Sequence, residues 1–324
     1  MKTLRSDFLA LGYTVRRCMG VFFKDGLSVF LALLAPIIVF LLYVLFLGDL
    51  QTDALMEYFP AGTVDEKAVN AFVDSWMIAG VLGTACITVS FSANNVMVGD
   101  RERGVVNDFL AAPMKKSVLL GAYFVFNFLV TVSICTIVFF IGLIYLAATG
   151  SFYMSAADVF AAFGTILHGS LSATLISVPI CASFKTQGAL GGFSGIVSAA
   201  IGFLIGAYMP MSAFPSWLEN AAAVLPGTHI SGLFRNFFMS GALENLTSGM
   251  PETVMNSIAE SFSMKFQFFG EKIGVDVMAG YVSAWVVVCA VCGLVIGTRL
   301  LDAPSALRAK KKKKTEDKAN VRED

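Results

Sequence analysis

Val118–Ala148 reads VLLGAYFVFNFLVTVSICTIVFFIGLIYLAA, a run with no charged residue and no proline. A helix of about 20 apolar residues crosses the hydrocarbon of a bilayer, so this run is long enough to tilt or to project beyond it. Lipid offers the backbone no hydrogen-bond partner, so only a helix or a closed barrel is tolerated there, and the run lacks the alternation of a barrel strand. Five further runs of the same kind follow its example: Ser28–Gly48, broken only by Pro36, then Trp76–Val98, Val159–Cys181, Ala189–Tyr208 and Val275–Gly297. The pattern predicts an all-α membrane protein with six transmembrane helices.

Composition agrees. The chain is 56% hydrophobic and 14% charged, against roughly a quarter charged in soluble domains, and its mean hydropathy is +0.75. The net charge of zero hides a sided distribution. Nineteen of the 23 lysines and arginines fall in residues 1–27, 99–117, the turn around Lys185 and residues 298–324; the other side holds only Lys67, Arg235, Lys265 and Lys272. Basic loops stay inside, so both termini are expected in the cytoplasm, with the chain in the cell (plasma) membrane. Residues 1–27 set Lys2, Arg5, Arg16, Arg17 and Lys24 among Phe8, Leu9, Leu11, Tyr13 and Val15, the make-up of an amphipathic interfacial helix and not of a signal peptide. Three regions result: the interfacial helix 1–27, a six-span domain 28–298, and a basic tail 299–324 whose Lys310–Lys314 run suits anionic lipid better than nucleic acid. The outer face is expected to comprise an acidic loop 49–75, a short loop 149–158, and a segment 209–274 of short helices punctuated by Pro210, Pro215, Pro226 and Pro251, its first half re-entrant or at the outer interface. His229 is expected in a turn of that segment.

Little in the chain suggests chemistry of its own. Five of the six cysteines lie in apolar runs, where they behave as small hydrophobes; Cys289 and Cys292 have the C-x-x-C spacing but no second pair or nearby histidine, so no metal site is expected. No G-x-x-x-x-G-K-[ST] phosphate loop occurs. The connector 99–117 stands out. It opens with Asp100, Arg101, Glu102 and Arg103, and continues with Val105, Val106, Phe109 and Leu110 on one helical face before Pro113 ends the helix. Such a face could seat in a groove of a partner. Among the polar residues inside spans, Asn94, Asn127 and His168 are candidates for a substrate path, with hydrogen bonding between helices as the alternative.

The stretch Asp100–Lys115, DRERGVVNDFLAAPMK, resembles the signature that follows the second span of ABC-2 type transporter permeases. Phe214-Pro215-Ser216-Trp217-Leu218, then Leu225-Pro226-Gly227-Thr228 and Arg235, resemble the family's element after the fifth span. The resemblance implies a permease subunit of an ATP-driven exporter. It is expected to carry no cofactor, ATP and magnesium being held by a separate ABC ATPase, and to pair with a second permease copy in contact with membrane lipids but not with nucleic acid. On the same footing Arg101, Glu102, Arg103, Gly104, Val105, Phe109 and Leu110 would couple to the ATPase, and the cargo would be drug-like, lipid-like or otherwise amphipathic. The alternatives are an exporter of polysaccharide precursors and an ion-coupled secondary transporter; the latter calls for carboxylates within spans, and none lies well inside any of the six runs.

Overall fold

The structure is a computed structural model that describes residues 2–59, 64–112 and 114–300, with the side chains of residues 2–5, 35, 44 and 292–300 outside the description. The tail with Lys310–Lys314, Pro113 and the Cys292 side chain therefore lie outside the described residues.

Helix α1 (Lys2–Lys24) is followed after one residue by α2 (Gly26–Leu42). That residue, Asp25, accepts from the amides of Leu27 (3.2 Å) and Ser28 (3.4 Å) and from the Ser28 hydroxyl (2.7 Å); these bonds favour its charged form and hold its carboxyl below the usual range. A π turn at Tyr43–Leu47 carries α2 into α3 (Gly48–Met56). Next come α4 (Glu66–Ala93), α5 (Asn95–Arg103) and α6 (Val105–Ala111), then α7 (Lys116–Thr149), α8 (Ala156–Cys181) and α9 (Gln187–Leu204). Beyond α9 lie α10 (Ser216–Ala223), α11 (Pro226–Leu246), α12 (Glu252–Ser261), the hairpin β1 (Phe266–Phe268) and β2 (Glu271–Ile273), and α13 (Val275–Leu300).

Five stretches are long and apolar enough to cross a membrane: Pro36–Met56, Glu66–Arg103, Lys116–Thr149, Ala156–Cys181 and Gln187–Leu204; the apolar part of α13, Val275–Val291, is shorter among the described residues. The architecture is an all-α membrane bundle with one small antiparallel hairpin that the periodicity did not announce. Helix α4 forms its axis and touches α2, α3, α7, α8, α9 and α11. With α5 it makes a rod of 38 residues, about 57 Å at 1.5 Å per residue, interrupted only at Asn94.

Three expectations are corrected. The segment 49–75 is not one loop: α3 runs to Met56 and α4 starts at Glu66, because Asp65 caps it through the Lys67 amide (3.1 Å) and Val69, Phe72 and Val73 are buried in the protein. The fifth helix stops at Leu204; the chain then folds back, and the Tyr208 ring lies over Gly202. The segment after it is not made of short helices alone, since α11 has 21 residues, packs along α4, and holds His229 buried in the helix instead of in a turn.

Candidate functional site

The connector is built around two buried charges. Asp100, 2% exposed, takes two short bonds from the Arg17 guanidinium (2.6 and 2.8 Å) and one from the Tyr123 hydroxyl (2.9 Å). The carboxylate raises the Arg17 pKa still further above its ordinary range, and burial pushes the neighbouring Cys18 thiol up to about 12. The Arg17 guanidinium also lies 5.4 Å from the centre of the Phe109 ring. One arginine thus ties the interfacial helix α1 to both α5 and α6.

Arg101 and Glu102 bind the turn between α8 and α9. Arg101 donates to the carbonyls of Ala182 and Phe184, just past the last residue of α8. Glu102 accepts from the Gln187 amide (2.8 Å) at the first residue of α9. A cation thus meets the negative end of one helix and an anion the positive end of the next. Arg103 folds back on the Gly99 carbonyl (3.2 Å) and is exposed. Gly104 has φ of 83°, a left-handed conformation that side chains resist; it ends α5 and starts α6 in a new direction. Three of the four residues of the apolar face are already covered by this chain. Val106 is buried, and Phe109 and Leu110 pack against this chain's own core, because α6 is folded down onto α1 and α5. The face that α6 turns outward carries Asn107 and Asp108.

The three polar path candidates separate. Asn127 receives bonds from Ser90 (2.8 Å) and Thr174 (3.0 Å) and donates to the Ser90 carbonyl (2.7 Å); Asn94 donates to that same carbonyl (2.9 Å) and to Ser177 (3.0 Å). Both asparagines therefore belong to one network joining α4, α7 and α8. His168 lies apart and faces Ser283 on α13 at 3.4 Å. None of the three lines the apolar cavity of about 290 Å³ between α4, α8, α9 and α11, whose walls include Ile87, Phe91, Ile176, Ile201 and Ile230.

Two carboxylates are buried among the described residues, each just outside the second apolar run, where hydropathy signals no burial. Asp100 is one. The other, Asp74, sits inside α4 and accepts from Tyr43 (3.2 Å), Tyr145 (3.1 Å) and Ser151 (2.6 Å), the first of these at the π turn. Asp100 is neutralised by Arg17, and Asp74 is held by three hydroxyls. Arg235, read from sequence as an outer cation, is buried and donates to the carbonyls of Gly206 and Ile205 just past the end of α9, over the Trp76 ring. Sequence reasoning missed Arg17, Tyr123 and Asp74, whose partners lie 83, 23 and at least 31 residues away; only the rarity of acids beside apolar runs hinted at them.

A bundle of apolar helices about one central rod, with its charges gathered in a connector, defines a multi-pass membrane transport domain. Residues 10–239 match the family model of the ABC-2 type transporter, and the chain belongs to that family. The match runs from α1 to α11 and takes in the whole connector. As such a membrane domain the chain is the permease component of a transporter and not its catalytic part. No curated protein matches it.

Proposed function

We propose that this chain is the permease subunit of an ATP-binding-cassette exporter, driven by a separate ATPase that binds ATP and magnesium and docks on the outward face of α6. The observation that carries the reading is the connector: a short helix whose apolar side is already seated on its own chain, whose polar side is free, and whose two flanking charges grip the ends of α8 and α9. Such a piece transmits force as a rigid body. An ATPase that closes on ATP would bind the two permease states differently and so shift their populations. On this reading α13 completes six spans, both termini are cytoplasmic, the chain resides in the cell membrane, and a second copy pairs with it. The outward Gly188, Gly191, Gly192 and Gly195 of α9, beside which an added methyl would meet nothing, leave room for a close neighbour. The apolar cavity favours an amphipathic or lipid-like cargo over a long polar polymer.

The test is co-purification with the candidate ATPase, followed by cargo-stimulated hydrolysis in Asp108→Lys. The variant should fold as the parent does, because Asp108 is exposed, and lose stimulation at least tenfold. Unchanged stimulation would remove α6 as the docking surface. Charge reversal at Arg101 or Glu102 is a poorer test, since both support the fold. A cysteine at Arg103 should react with an impermeant reagent only in inverted vesicles; reaction in intact cells would reverse the topology.

A further inference from the structure

The exposed face of α1 holds more than an amphipathic helix needs. Tyr13, Arg16, Gly20 and Lys24 succeed one another at spacings of three and four residues, so they form one line along the helix. With Arg17 and Val21 they border a shallow groove of about 540 Å³. Arg16 and Lys24 are exposed and have no hydrogen bond or ion pair among the described residues, whereas Arg17 is paired with Asp100 and Lys115 with Asp7. Between the two unpaired cations, a methyl built on Gly20 would meet nothing, so the backbone there is open to an incoming group. Phe8 and Tyr13, both 70% exposed, and Leu9 border an adjoining hollow that Arg16 shares. Only Asp25 separates α1 from α2, which leads into the first membrane-crossing stretch, so this face sits at the level of the lipid headgroups.

We propose that this groove is a binding site for one anionic phospholipid headgroup, with Arg16 and Lys24 pairing with its phosphate and Tyr13 lying against the glycerol and the first methylenes. Charge complementarity selects an anionic headgroup over a zwitterionic one, and the exposed rings select a lipid over a soluble phosphate. Arg17 borders the groove on one side and holds Asp100 on the other, so the lipid lies one side chain away from the connector. The site stands whether or not the chain is an exporter.

The test uses the full chain in neutral detergent, titrated with phosphatidylglycerol and separately with phosphatidylcholine, with bound lipid counted by native mass spectrometry. The basic tail is the same in every variant and contributes a constant background. Arg16→Gln/Lys24→Gln should weaken phosphatidylglycerol about 30-fold, which is about 2 kcal/mol at about 1.4 kcal/mol per decade and matches two basic residues at an anionic surface. Phosphatidylcholine binding should not change. Arg16→Lys/Lys24→Arg should keep the preference, which separates loss of charge from loss of fold. Equal phosphatidylglycerol binding by the parent and the glutamine variant would overturn the proposal. Displacement by soluble glycerol phosphate at the concentrations at which the lipid itself competes would reassign the groove to a free phosphate and overturn it as a lipid site.

Discussion

Removing the charge of Asp100 should unfasten α1 from the connector, and the cost can be bounded. The pair is short and two-pronged, but its partners are unequally dry: Asp100 is 2% exposed and Arg17 is 36% exposed. Removing one member of a fully buried pair costs about 3–5 kcal/mol, and a fully exposed pair is worth about 0.2–1 kcal/mol. Water reaches Arg17, so Asp100→Asn should cost about 2 kcal/mol, with the Tyr123 bond retained. Arg17→Gln should cost somewhat more, about 2–3 kcal/mol, because it leaves a buried carboxylate with only the Tyr123 hydroxyl and the new amide. The double variant should cost little more than Arg17→Gln alone, a coupling of about 1.5 kcal/mol. Reversible unfolding in mixed micelles, followed by helix content and by Trp fluorescence, measures all four corners of the cycle. The pair Lys115–Asp7, with side chains 64% and 24% exposed, serves as the control and should couple by under about 0.5 kcal/mol. Additive losses at Arg17 and Asp100, within about 0.5 kcal/mol, would refute the clasp.

Gly104→Ala should cost about 1–2 kcal/mol, because its φ of 83° is left-handed; Gly104→Asn should recover part of the loss in the same unfolding assay, and a neutral Gly104→Ala would contradict the backbone geometry. Asn127→Leu removes the acceptor of Ser90 and Thr174 and should cost about 1–2 kcal/mol, with a matching drop in the unfolding midpoint. Asp74→Ala strands three hydroxyls and should cost about 2–3 kcal/mol, whereas Asp74→Asn keeps an acceptor for the two tyrosines and a donor for Ser151 and should cost under about 1 kcal/mol. An equal loss in the two Asp74 variants would mean that the charge matters there and not the hydrogen bonds.

The apolar centres of the helices could be read directly, because desolvation dominates there and hydropathy measures it. Val118–Ala148 lies within α7 and Val159–Cys181 within α8. Helix ends were less legible. A window that meets Asp65, Glu66, Lys67 and Asp74 reports a loop, yet the first three lie at a capped helix start and the fourth is buried among hydroxyls. The connector failed in the opposite sense. A dense run of charges signals solvent, and Arg103, Asp108 and Lys115 are exposed, but Asp100 and Arg101 are buried because distant helix ends and a distant arginine supply what water would have supplied. Local spacing put Val106, Phe109 and Leu110 on one face correctly. It could not say that the surface they cover belongs to the same chain.

The same logic singles out α9. It and Pro36–Met56 are the least covered by protein of the five membrane-crossing stretches, and α9 has the cavity on one side and open glycines on another. Its packing is therefore weak, and what fixes it lies at its ends. Glu102 holds the first amide, and Arg235, lodged in α11, holds the carbonyls just past the last turn. Each contact pairs a full charge with the helix-end partial charge of opposite sign. A helix held at both ends and loose in the middle can change tilt without breaking a packed core, and Glu102 belongs to the element that the proposed ATPase would push. Arg101 and Glu102, adjacent in sequence, grip the end of α8 and the start of α9. On the proposed mechanism, motion of the connector thus reaches α9 directly as well as along the α4–α5 rod, and the wall it moves belongs to the apolar cavity between α4, α8, α9 and α11.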